Sequence, residues 1–152
     1  MADRRWHPWR ALRDRPHIRV RFDEIADDVG GALYGHRDDR AAIVLSPGLD
    51  QVERRCALAH ELVHDERRIT SPAATDATMQ LEEERVRRVA AARLVPAGEL
   101  YELVVARATV EPITADVVAA EFDVTSAVAA EALRQLQERL LAGELHRSID
   151  RH

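Results

Sequence analysis

The chain contains no lysine, since all 22 of its basic residues are arginine. This excludes chemistry that needs a lysine amine, such as a Schiff base or a phosphate-loop lysine. The single cysteine, Cys56, excludes an internal disulfide. No apolar run approaches the length of a membrane span, and the charged N-terminal segment lacks the apolar stretch of a signal peptide. We therefore expect a cytoplasmic protein with no membrane segment.

The length and charge of the chain narrow its class further. A chain of 152 residues is long enough to bury a hydrophobic core as one domain. Its formal net charge of -5 does not favour a protein that binds nucleic acid without selectivity. We therefore do not expect direct binding to nucleic acid.

The segment His60-Glu61-Leu62-Val63-His64 has the pattern His-Glu-x-x-His. On a helix, positions i and i+4 lie on one face, so His60 and His64 could bind one Zn²⁺ ion. Glu61 would then act as the general base that activates a water molecule. The alternative is a surface helix that carries two solvated histidines.

The residues before the motif predict the helix that it requires. Asp50 and Glu53 have the spacing of a capping box, which predicts a helix from about Gln51 to about Glu66. Cys56 falls on the buried face of this helix, where we expect a core residue rather than a metal ligand.

A catalytic zinc ion needs a third protein ligand. A second helix is predicted from about Met79 to Leu94, and it begins with acidic residues. Glu82 and Glu83 lie on the same side as its apolar stripe, whereas Glu84 points away. The stripe consists of Val86, Val89, Ala90 and Leu94. Periodicity leaves Glu82 and Glu83 both open as the ligand, and the alternative is that the acidic run only complements the helix dipole.

The pattern of the whole chain predicts an α+β fold. We expect a small, mostly antiparallel three-stranded sheet packed on a zincin-like helix that carries the motif, followed by a helical subdomain that resembles a helix-turn-helix. The metallopeptidase core would cover residues 1–96 and the helical subdomain residues 97–152, packed on the core as one unit. Strands are expected at 17–22, 32–34 and 41–45, and the later helices at 97–108, 114–121 and 125–141.

Several other polar residues are candidates for the site. Tyr34 and His36 lie near the expected edge of the sheet, where either could line the cleft and polarise an oxyanion. For each of them a structural role is the alternative. The remaining histidines, including His17, are expected to be solvated.

Two segments of the chain resemble the ImmA/IrrE family of zinc metallo-endopeptidases. They are residues 54–64 (RRCALAHELVH) and residues 83–96 (EERVRRVAAARLVP). The matching helix of the family begins at a metal-binding glutamate and ends at a proline. When that proline is aligned with Pro96, the glutamate of the family falls on Glu83. Three positions differ from the usual residues of the family: Val86 replaces an alanine, Arg87 an asparagine and Val89 a phenylalanine.

This resemblance implies a selective Zn²⁺-dependent endopeptidase of bacterial or phage cytoplasm. Its expected substrate is a regulatory protein, such as a helix-turn-helix repressor of phage, mobile-element or stress genes. The alternative is a zinc-stabilised binding module that acts on a repressor by contact, without cleavage.

Overall fold

The computed structural model describes residues 5–25, 31–68 and 75–144. Within these residues the fold is α+β, with a three-stranded sheet and six helices. The chain divides into two compact units, Met1–Ala90 and Ala91–His152. The α+β class was predicted, whereas the domain boundary at residue 96 stays a prediction.

The sheet is mixed, so the prediction of a mostly antiparallel sheet was wrong. Its strands are β1 (Ile18–Phe22), β2 (Ala32–Arg37) and β3 (Arg40–Leu45), in the order β1-β3-β2. A two-residue turn joins β2 to β3, which makes this pair antiparallel. The connection from β1 to β2 is longer, and β1 pairs with the other side of β3 in parallel. Strand patterns predict which residues face inward but not which strand becomes the neighbour.

The core of the first unit lies between this sheet and two helices, α1 (Pro8–Arg13) and α2 (Gln51–Arg67). Alternate residues of β3 are buried, and Leu58 and Leu62 of α2 join them in one hydrophobic cluster. Trp9 and Leu12 of the short first helix pack against this cluster.

Helix α2 begins where the sequence predicts. The Asp50 side chain accepts a hydrogen bond from the backbone N–H of Glu53 at 2.8 Å, and the Glu53 carboxylate accepts one from the Asp50 N–H at 2.8 Å. The capping box is therefore confirmed, and it fixes the phase of the helix that carries the motif.

Helix α3 (Asp76–Leu94) starts one turn earlier than expected, because residues 76–78 are helical rather than part of a loop. Its apolar stripe is buried as predicted at Val86, Ala90 and Leu94. Val86 and Ala90 form a cluster with Val63 of α2. The two helices that carry the candidate ligands are thus packed together through small and β-branched side chains.

The second unit contains α4 (Ala97–Arg107), α5 (Ala115–Phe122) and α6 (Ser126–Leu141). Thr114 and Thr125 cap the last two helices, and Asp123 ends α5 in the left-handed conformation at φ +52°. The resemblance of this pair to a helix-turn-helix stays a prediction. None of the helices that the structure describes has the length and apolar character needed to span a bilayer.

Candidate metal centre

Helix α2 presents both histidines of the motif on one face. Their ring centroids are 4.9 Å apart, with the planes at 71°. Both side chains are about three-quarters buried, with exposed fractions of 23% for His60 and 27% for His64. A spacing of four residues is about one helical turn, which is why the two rings point to the same region.

Helix α3 brings Glu83 to these histidines. One Glu83 oxygen, Oε1, lies 2.6 Å from His60 Nε2, and the other, Oε2, lies 3.0 Å from His64 Nε2. The three residues offer ligand atoms that all lie within 4.8 Å of one another. The side chain selected through the family pattern therefore stands beside the motif.

Glu82, which periodicity left open as the alternative, is bound elsewhere. Its Oε2 accepts a hydrogen bond from Arg67 Nη2 at 3.0 Å, and Arg67 Nε also contacts its other oxygen. Arg85 lies 3.8 Å from the same carboxylate. Arg67 lowers the pKa of Glu82 through this hydrogen bond. The two adjacent glutamates thus have different partners, and only Glu83 contacts the histidines.

The donor atoms fit a zinc ion in chemistry and in spacing. Two imidazole nitrogens and one carboxylate oxygen are a known ligand set of catalytic zinc sites, which keep a further position open. At metal–ligand distances of about 2.0–2.2 Å, tetrahedral ligand atoms are about 3.3–3.6 Å apart. The contacts of 2.6 Å and 3.0 Å are within about 1 Å of that spacing.

The charge states of Glu83 and His64 depend on each other. Hydrogen bonds with His60 and His64 lower the pKa of Glu83 well below its usual range. The hydrogen bond to Glu83 in turn raises the pKa of His64. Since a histidine must be neutral to bind a metal, protons and a metal ion compete for these nitrogens.

Glu61 is the neighbour of His60 on the buried side of α2, where only 6% of its surface is exposed. Burial raises the pKa of Glu61, although nearby His60 and His64 act in the opposite direction. A divalent cation at the histidines would favour the ionised carboxylate further. A carboxyl group whose pKa lies above its ordinary value is better suited to accept and release a proton.

Asp65, the residue after the motif, is a buried polar residue that the sequence analysis missed. Its exposed fraction is 4%, and its carboxylate accepts a hydrogen bond from Tyr34 Oη at 2.8 Å. Its Oδ2 lies 2.9 Å from His17 Nε2, and Arg68 Nη2 is 3.2 Å from Oδ1. Burial acts to raise the pKa of Asp65, but the contacts with His17, Tyr34 and Arg68 outweigh it and lower the value. The expectation that His17 is solvated was wrong, because this buried carboxylate binds it.

A signal for Asp65 was present in the sequence. Asp65 follows Leu58 by seven residues and Leu62 by three, which is the spacing of the buried stripe of α2. A charged residue in that phase requires partners. Those partners are distant in sequence, so the pattern could not identify them.

Tyr34 and His36 both lie on β2, at the side of the site. The Tyr34 ring is stacked with that of His64, with centroids 6.3 Å apart and an interplanar angle of 10°. His36 is exposed, and its ring centroid lies 5.9 Å from that of Tyr34. Burial, followed by the hydrogen bond to Asp65, raises the pKa of Tyr34 to about 12. Its hydroxyl is therefore a committed donor to Asp65, and a role for His36 at the cleft stays a prediction.

Cys56 is buried, with 7% of its surface exposed, as expected for a core residue. The group of possible metal ligands found among the described residues does not include it.

The fold thus brings His60, His64 and Glu83 together as a candidate metal centre. A comparison with family models agrees, since the chain matches the M78 peptidase family, whose model is described as the IrrE N-terminal-like domain, over residues 13–134. This match covers most of the chain, and the chain belongs to this family of metallopeptidases, as the resemblance to ImmA/IrrE indicated. Searches of curated proteins and of solved structures found no match.

Proposed function

We propose that this chain is a zinc-dependent endopeptidase that cleaves a regulatory protein, with a helix-turn-helix repressor as the expected kind of substrate. His60, His64 and Glu83 would hold the ion, and Glu61 would be the general base. The observation that carries the proposal is the convergence of three donor side chains from two helices, next to a buried glutamate.

The role of each residue follows from its chemistry. When bound, a zinc ion supplies Lewis acidity, which polarises a peptide carbonyl and makes water a better nucleophile. Glu61 would accept the proton of the attacking water and donate it to the leaving amine. The contact with Arg67 holds Glu82 away from the histidines, so Glu83 would be the carboxylate ligand.

The differences from the family pattern are accommodated in the packing of α3. Val86 is fully buried and forms a cluster with Val63 and Ala90, and Val89 packs against that cluster. The larger side chain at position 86 therefore fills space between the two helices that carry the ligands. This packing supports an intact metal centre, which both the endopeptidase and the zinc-stabilised binding module require.

The charge of α6 argues against a nucleic acid as the partner. On α6, Arg134 is paired with Glu131, and Arg139 Nε lies 3.4 Å from a Glu144 oxygen. Arginines that are neutralised in this way do not form the basic face that phosphate binding requires.

The experiment uses the zinc-loaded wild type and Glu61→Gln as paired baits in a native lysate. We expect Glu61→Gln to retain an intact partner that wild type cuts at a defined peptide bond. The captured partner is then purified and incubated with wild type, with Glu61→Gln and with chelated wild type. Glu84→Gln, an exposed glutamate on α3, is the matched control and should cut like wild type.

The two functions give opposite results in this experiment. If wild type and Glu61→Gln retain the same partner uncut, and zinc-loaded wild type leaves it intact, the endopeptidase proposal is contradicted and the binding module replaces it. If cleavage requires both Glu61 and the metal, the binding module is contradicted.

A further inference from the structure

Tyr34 interacts with both His64 and Asp65, the last residue of the motif and the residue that follows it. Its ring is nearly parallel to the His64 imidazole, at an angle of 10°, with centroids 6.3 Å apart. Its hydroxyl donates to Asp65 Oδ1 at 2.8 Å. The ring of Tyr34 therefore lies stacked with His64, while its hydroxyl is bonded to Asp65, the next residue along the helix.

The far end of this contact is held firmly. Asp65 is 4% exposed, and a buried carboxylate is costly unless other groups bind it. His17, just before β1, and Arg68, just after α2, bind the same carboxylate at 2.9 Å and 3.2 Å. These contacts hold the Asp65 side chain in place, and Asp65 in turn holds the Tyr34 hydroxyl.

The near end is also fixed, because Tyr34 belongs to the sheet. It pairs with Ile43 of the neighbouring strand β3, and Ile43 is fully buried. The backbone of Tyr34 can move little without disturbing the core. Its ring is consequently held at the backbone and at the hydroxyl, with its face toward His64.

A direct role for Tyr34 in catalysis fits these contacts less well. A tyrosine that stabilises an oxyanion must offer its O–H to the substrate. Here the O–H is given to a buried carboxylate, while the face of the ring is given to a candidate metal ligand. The orientation of a metal-binding imidazole is commonly set by a hydrogen bond from its other ring nitrogen. A stacked ring restricts the same rotation of the imidazole.

We propose that Tyr34 is a positioning residue, which holds the His64 imidazole in its metal-binding orientation by stacking against it while Asp65 anchors the tyrosine hydroxyl. This inference rests on the proposed metal centre. It adds a structural reason for the aspartate that follows the motif, which is not itself among the candidate ligands.

The test measures metal binding rather than catalysis. Tyr34→Phe removes only the hydroxyl and its contact with Asp65, whereas Tyr34→Leu removes the stacked ring as well. Zinc affinity is measured by competition with a chromophoric chelator, and the visible spectrum of the Co²⁺-substituted protein reports ligand geometry. The only other tyrosine, Tyr101, is also half-buried. Tyr101→Phe and Tyr101→Leu are therefore matched controls.

The expected result is a graded loss. Tyr34→Leu should weaken zinc binding by about 10-fold to 100-fold, the range found for groups that orient metal ligands. Tyr34→Phe should have a smaller effect in the same direction, and both should change the Co²⁺ spectrum. The Tyr101 variants should match wild type in affinity and spectrum.

The outcomes distinguish this inference from the proposal on which it rests. If wild type does not bind zinc, the metal centre is wrong and the role of Tyr34 is rejected with it. If wild type binds zinc and a folded Tyr34→Leu has the same affinity and Co²⁺ spectrum, only the positioning role is rejected. Should Tyr34→Leu fail to fold, Tyr34→Phe decides, because an unchanged affinity and spectrum in that variant rejects the role.

Discussion

Helices α2 and α6 are built from the same local rules but differ in what they bury. Both begin at a side-chain cap and both have an apolar stripe. The buried residues of α6 are Ala129, Ala132 and Leu136, all of them apolar. Helix α2 buries Leu58 and Leu62 in the same way, but also Glu61 and Asp65, the buried charged residues found in the described part of the chain.

This difference indicates where the molecule has a task other than packing. Taking a carboxylate out of water costs several kcal/mol unless partners compensate it. A helix that only stabilises a fold can limit that cost, as α6 does by pairing Glu131, whose side chain is 10% exposed, with the exposed Arg134. Helix α2 places one buried carboxylate after each histidine of its motif. Buried charges that flank metal-binding side chains are typical of a site that performs chemistry.

The largest expected effect follows from replacing the charge of Glu61 without changing its shape. Glu61→Gln should lower the rate of peptide cleavage by about 10²-fold to 10⁴-fold, the range for loss of a general base. Zinc content should stay the same, because the ligands remain. Rates are measured by mass spectrometry on the purified substrate. Unchanged cleavage would mean that the buried charge of α2 does not serve the reaction.

Substitutions of the adjacent glutamates Glu82 and Glu83 test which of the two binds the metal. Glu83→Ala should weaken zinc binding by more than about 100-fold, since a ligand should matter more than the groups that only orient ligands. Glu82→Ala should retain the metal because Glu82 is bound to Arg67. Chelator competition gives both dissociation constants. The opposite pattern, with zinc lost only in Glu82→Ala, would reverse the assignment.

The packing role of α6 is tested at Leu136, which is 4% exposed. Leu136→Ala should lower the free energy of unfolding by about 2–5 kcal/mol, as large-to-small changes in cores do. The folded variant should bind zinc as wild type does, because Leu136 is not among the candidate ligands. Urea unfolding and zinc titration measure the two properties. A folded Leu136→Ala that lacks zinc would break the contrast between the helices.

The smallest expected effect is a titration that reports the buried charge at Asp65. The pKa of Tyr34 is raised to about 12 from its ordinary value of 10.0. The fold favours the neutral hydroxyl, so this contribution to stability is present below pH 10 and is lost as pH rises toward 12. Absorbance of tyrosinate against pH should show a late transition that Tyr34→Phe removes. A transition of Tyr34 at its ordinary value would show that burial and the hydrogen bond to Asp65 do not hold the hydroxyl in its neutral form.

Local features of this chain were predictable because they depend on neighbours in sequence. Asp50 and Glu53 predicted the start of α2, and the stripe through Val86 and Ala90 predicted the buried face of α3. The same phases limited the third ligand to Glu82 or Glu83. They could not separate the two, because the choice depends on Arg67 of another helix.

Contacts between distant segments were not predictable from these patterns. The parallel pairing of β1 with β3 depends on which side of β3 each strand reaches, and no alternation of residues encodes that. Likewise, Asp65 is bound by His17 and Tyr34, which precede it by 48 and 31 residues. A buried acidic position gave the signal that partners exist, and only the fold identifies them.

Anomalous diffraction at the zinc absorption edge would show whether His60, His64 and Glu83 hold one zinc ion. We expect a single strong peak about 2.0–2.2 Å from Nε2 of each histidine and from a Glu83 oxygen. A crystal grown with zinc that shows no peak there, or a peak bound by Glu82 in place of Glu83, would contradict it.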